Sequence, residues 1–124
     1  MATHKVNGQL QVTQTATFDA HVTANSLIVN GGDRMNDVQF NSYTIDFPSI
    51  AGNSTTTVTQ AFSGVVVANN NFTSIELPIG IDDVIVGSAH VSADDVVTIH
   101  LHNTGSTAVD PASGVYKVLV MTFA

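Results

Sequence analysis

Charged side chains that favour helices are sparse in this chain, which holds one glutamate, Glu76, and two lysines, Lys5 and Lys117, in 124 residues. Val, Thr, Ile and Phe recur instead in short runs, each closed by Gly, Pro, Asn or Asp. Branched and aromatic side chains suit the pleated surface of a sheet and lose rotamer freedom in a helix, so the pattern predicts an all-β protein. The expected strands are 37–46, 54–63, 65–68, 73–77, 84–91, 96–103 and 115–123. Short strands at this spacing predict an antiparallel β-sandwich of jelly-roll or Greek-key-like order.

Turn chemistry adds local detail. Ala93-Asp94-Asp95 predicts a tight hairpin, and Asp110-Pro111-Ala112-Ser113-Gly114 suits a type I turn, so the last three strands are expected to form a meander. In the final strand Val118 and Val120 face one way while Leu119, Met121 and Phe123 face the other. Both faces are apolar, which predicts a strand that is central or covered by a neighbouring subunit.

The N-terminal part reads differently. Leu10, Val12, Ala16, Phe18, Ala20, Val22, Ala24 and Ile28 fall on even positions, with Thr13, Thr15, Thr17, Asp19, His21 and Thr23 between them. This period of two persists, with Gln14 and Ser26 as its interruptions, beyond the usual strand of about 5–6 residues. It therefore predicts either two strands with a polar corner or one extended arm, burying its apolar face against other chains. Asn30-Gly31-Gly32-Asp33 is a dense turn signal, so the expected division is an arm over 1–32 and a β-sandwich body over 33–124.

Charge removes several function classes. Lys and Arg total 3 against 10 Asp and Glu, a formal net charge of −7, which lacks the cations a nucleic-acid partner requires. No run approaches the roughly 18 apolar residues of a membrane span, and no apolar signal core follows Met1–Lys5, so a soluble, leaderless protein without a membrane partner is expected. Cysteine is absent, which excludes disulfides, thiolate nucleophiles and cysteine metal sites. A mean hydropathy of +0.24 with 10% charged residues predicts apolar surface covered by a partner, hence an obligate assembly.

Catalytic signatures are missing. No G-x-S-x-G elbow surrounds any serine, no triad can be recognised along the chain, and no P-loop or dinucleotide glycine pattern occurs. The pairs Asp82-Asp83 and Asp94-Asp95 invite a calcium or glycosidase reading, but adjacent carboxylates point apart, so turn residues are the better account. His100-x-His102 is the best chemical candidate, with both imidazoles on one strand face opposite Val97, Ile99 and Leu101. Two nitrogens alone make an incomplete metal site, so these are read as surface histidines, with no metal and no cofactor. His90 lies on the neighbouring strand, where the register decides whether it joins them. Asn69-Asn70-Asn71 with Phe72 is read as a loop tip.

Two stretches carry a resemblance. Gly8-Gln9-Leu10-Gln11-Val12-Thr13-Gln14-Thr15-Ala16-Thr17-Phe18, running on to Leu27-Ile28-Val29-Asn30-Gly31, resembles the G-x-L-x-V-T-x-T-A-T-F and L-x-V-x-G phrasing of trimeric phage fibre shafts. The tail, Ala89 to Ile99 through Asn103-Thr104-Gly105 and Val109-Asp110-Pro111-Ala112-Ser113-Gly114-Val115-Tyr116-Lys117-Val118, is similar to a small β domain recurrent in phage virion proteins. The resemblance implies a trimeric structural protein of a tailed phage. At a threefold axis, three copies of His100-x-His102 would resemble the iron-binding His-x-His repeats of some phage fibres.

With one or two shaft-like repeats, the chain is too short for a long fibre. The expectation is a capsid decoration, or cement, protein on the outer surface of the head, a homotrimer that contacts the major capsid protein and stabilises the shell. Leu10, Val12, Phe18, Val22 and Ile28 are the expected anchoring residues. Two alternatives stand beside it. One is a short tail or head fibre whose loops bind a host surface glycan or receptor, for which six Phe, two Tyr and no Trp offer few stacking surfaces. The other is a small hydrolase or metal enzyme, which requires the histidines to converge with Asp residues in a pocket.

Overall fold

The computed structural model describes residues 35–124. The arm over 1–32, its anchoring residues Leu10, Val12, Phe18, Val22 and Ile28, and the turn at 30–33 lie outside the described residues. The body is all-β, with strands β1 (Met35–Ile45), β2 (Ser54–Ala61), β3 (Asn70–Glu76), β4 (Ile85–Ala93), β5 (Val96–Asn103) and β6 (Gly114–Phe123). They form two three-stranded antiparallel sheets, β1-β6-β3 and β2-β5-β4.

The pairing has a simple logic. β1 and β3 both pair with β6, β2 and β4 both pair with β5, and β3 contacts β4 across the two sheets. The connections after β1, β2, β3 and β5 cross between the sheets, giving a β-sandwich. The two central strands supply the heart of the core, Val97, Ile99 and Leu101 from β5 and Tyr116, Val118 and Val120 from β6, all essentially inaccessible to solvent. Alternation turns Thr98, His100 and His102 outward on β5, and Lys117, Leu119 and Met121 outward on β6.

Connections complete the core. Phe47 and Ile50 between β1 and β2, and Phe62 and Val65 between β2 and β3, are buried, and the Phe47 ring meets Tyr116 at 5.2 Å between centroids. Asn103 is the buried polar hub, with its Nδ2 donating to the carbonyls of Ile50 and Thr107 at 3.0 and 2.8 Å, and its Oδ1 accepting from the Gly105 N–H at 2.9 Å. Every polar atom of that side chain is thus engaged, which lets an amide sit in an apolar interior.

Three local expectations are corrected. The expected strand at 65–68 is a loop, because Gly64 takes a left-handed φ of 92° and the backbone there bonds to the β4–β5 turn. The meander ends at β5, since β6 crosses to the other sheet and inserts between β1 and β3, where both its edges are paired. The segment 110–114 runs on from the Ile50–Val109 bridge without closing a hydrogen-bonded turn. Gly114 is there for close approach, as a Cβ would stand 2.7 Å from the Pro78 ring.

The predicted hairpin is present, with a two-residue turn at Asp94-Asp95 in which Asp95 has φ 60°. Its carboxylates are structural. Asp95 Oδ1 accepts from the Gly64 N–H at 2.7 Å and Asp94 Oδ1 accepts from the Val67 N–H at 3.0 Å, clamping the 64–67 loop to the hairpin.

Candidate functional site: two unlike outer faces

The two outer faces of the sandwich differ in chemistry. On the β1-β6-β3 sheet the register sets Phe72, Met121 and Val38 in one cross-strand row and Ser74, Leu119 and Phe40 in the next. Phe123 and Met35 pair beyond them. Leu119 and Met121, on the central strand, are half-buried, whereas Phe40, Phe72 and Val38 on the flanking strands are 60, 55 and 52% exposed. The flanking side chains therefore stand up as walls on either side of a shallow apolar trough along β6.

Charge is confined to one end of this face. Lys117 donates to Glu76 at 3.2 Å across the next row, so the one lysine among the described residues is matched by a carboxylate beside it. The pair is exposed and worth little as a stabilising bridge, yet it leaves the face with no net charge. The three most exposed side chains of this face alone present roughly 300 Å² of apolar area, within the range of the largest apolar patch on a typical monomer.

The opposite outer face is polar. Cross-strand rows there read Thr55–His102–Val86, Thr57–His100–Ser88 and Thr59–Thr98–His90. His100 and His102 share this face, as their spacing predicts, but the structure separates their partners. His102 Nδ1 meets Thr55 Oγ1 at 2.8 Å, while His100 Nε2 meets His90 Nδ1 at 3.1 Å with the rings nearly parallel. Register, which the sequence left open, thus joins His90 to His100.

A third feature is an open cleft of about 630 Å³ between the β3–β4 connection and the segment leading into β6. Leu77, Pro78, Ile79 and Pro111 line it together with the carboxylates of Asp82 and Asp110, and Ile79 is fully exposed at its lip. No imidazole lines it, so the histidines and the aspartates do not converge there. Asp82 instead accepts from the Val84 N–H at 3.1 Å, the local bond of a turn residue.

The expected loop tip at Asn69–Phe72 is also revised. Asn70, Asn71 and Phe72 begin β3, and Asn71 is tied down on both sides of its amide, donating to the Val66 carbonyl at 2.9 Å and accepting from Thr122 Oγ1 at 3.0 Å. Sequence reasoning found the two-sided apolarity of β6 but missed Phe40 and Phe72 as its flanking walls. The signal was available only as an odd aromatic on each of two Asn- and Ser-rich strands. Comparison of the chain with protein-family models, with curated proteins and with solved structures gives no match.

Proposed function

We propose that this chain is a structural subunit of a tailed-phage virion, a decoration protein that associates as a homotrimer, binds the outer surface of the head and stabilises the shell. The observation that carries the reading is the uncovered apolar face of the β1-β6-β3 sheet, set against a polar face on the other side of the same sandwich. A protein with one greasy and one hydrophilic face gains free energy by assembling through the first and leaving the second in water.

The homotrimer buries the trough of Phe40, Phe72, Leu119 and Met121 between copies. Leu10, Val12, Phe18, Val22 and Ile28 then serve as the anchor on the major capsid protein, with avidity across three arms multiplying weak single contacts. The role is structural, with no catalytic step. The phage assignment rests on the resemblance of 8–31 and 89–118 to virion proteins, and a two-sheet β body is compatible with it, since viral capsid domains are often double-sheet β structures.

The test uses heads of the phage that encodes the chain, prepared without it. Added protein should sediment with the heads in multiples of three copies per site and raise the temperature at which they release DNA. Heads that neither bind the protein nor gain heat resistance would refute the decoration role.

A further inference from the structure

We propose that His90 and His100 form a bidentate imidazole site for a late first-row divalent cation, Cu²⁺ foremost, on the outer face of the β2-β5-β4 sheet. The inference does not depend on the virion reading, since the site lies on the face opposite the apolar one.

The geometry is that of a chelate. Metal–imidazole bonds of about 2.0–2.1 Å place two cis nitrogens about 2.9–3.4 Å apart, for angles between square-planar and tetrahedral. His100 Nε2 and His90 Nδ1 already stand 3.1 Å apart, held there by adjacent paired strands rather than by flexible loops. In the tautomers that carry the ring proton on the outer nitrogen, Nδ1 of His100 and Nε2 of His90, the two facing nitrogens both offer lone pairs at the same gap. A cation entering the gap takes the place of the bridging hydrogen bond, whose proton passes through solvent to the outer nitrogen of the same ring, with little backbone movement and at the cost of small ring rotations.

The surroundings select the kind of ion. Among the described residues no third His, Cys, Asp or Glu completes the group, which leaves the remaining positions to water or to a ligand from outside. Two neutral nitrogens without a carboxylate disfavour Mg²⁺ and Ca²⁺ and favour Cu²⁺ over Zn²⁺ and Ni²⁺. A chain of net charge −7 also draws cations towards it. His102 is not part of the site, because Thr55 engages its Nδ1 on the β2 side whereas His90 approaches His100 from β4.

The experiment is a Cu²⁺ titration of the full chain by calorimetry and electron paramagnetic resonance at pH 7.5. It is run in a His4→Ala, His21→Ala background that removes the two histidines outside the described residues. We expect one equivalent per chain with a nitrogen hyperfine pattern, and an upward shift of the melting temperature, since the ion binds only the folded hairpin. His90→Ala and His100→Ala should each weaken binding by at least about tenfold, because either change removes the chelate's effective concentration. His90→Gln keeps a polar side chain on the strand and should behave as His90→Ala does, with unchanged circular dichroism. His102→Ala should stay within about twofold of the parent, as an independent position. Loss of binding in His102→Ala equal to that in His90→Ala, or saturable binding unaffected by either His90 variant, would overturn the site, as would no saturable binding in the parent.

Discussion

Replacing Phe40 by Thr should dissociate the proposed trimer while leaving the subunit folded. Phe40 is 60% exposed on the outer face, so covering it with a second copy removes about 120 Å² from water, or about 3 kcal/mol per chain. That corresponds to roughly two orders of magnitude in the association constant for each copy that carries the change. Thr is chosen because it keeps a β-branched side chain on an edge strand, where the propensity difference from Phe is below about 1 kcal/mol. Phe40 belongs to none of the buried cluster around Tyr116, Val118 and Val120, so the thermal unfolding of the separated subunit should change little. Sedimentation velocity over a range of concentrations reads the association, and circular dichroism reads the fold. Phe72→Thr, acting on the opposite wall of the trough, should give a similar loss from 55% exposure, and the double variant should be monomeric throughout. Unaltered sedimentation of both single variants and the double variant would refute the argument that this face is covered by other copies.

Tyr116 is fully buried and its hydroxyl has no hydrogen-bond partner, so Tyr116→Phe should leave stability at pH 7 unchanged or raised by up to about 1 kcal/mol in urea unfolding. Burial, with the Asp46 carboxylate adding to it, holds the Tyr116 pKa above the ordinary 10.0. The folded state therefore keeps its proton where the unfolded state loses it, and stability falls as pH rises above about 10. Tyr116→Phe should flatten that alkaline loss, and a titration equally steep in both proteins would count against it. Asn103→Ala strips three hydrogen bonds from a buried hub and should cost about 3 kcal/mol, measured by the same unfolding curves. Phe18→Asp with Val22→Asp should abolish attachment to heads while leaving the melting of the body unchanged, and undiminished attachment would remove the anchor role of the arm.

Strand identity was legible because alternation is local. The buried Val97, Ile99 and Leu101 and the outward His100 and His102 follow from a period of two, and the apolar runs on both sides of β6 predicted a strand that is central or covered by a neighbour, of which the sheet order shows the first. What local patterning could not supply was partnership between distant strands, because register is fixed by contacts remote in sequence. Hence β6 looked like the third strand of a meander when its two neighbours are β1 and β3. The valines at 65–67 resembled a strand for the same reason, although the carboxylates of Asp94 and Asp95, nearly thirty residues later, claim that backbone. The apolar face and the histidine pair are both products of register: Phe40 and Phe72 gain meaning only when set beside Leu119 and Met121, and His90 only when it meets His100.

The central claim is that the apolar face of the β1-β6-β3 sheet is an assembly surface, and the native mass of the unmodified full chain tests it most directly. Multi-angle light scattering on the protein, at concentrations from the low micromolar upward, should return three times the 13.0 kDa mass of one chain. A mass of one chain at every concentration would contradict the account, leaving Phe40, Phe72 and Val38 exposed to water with no copy to cover them.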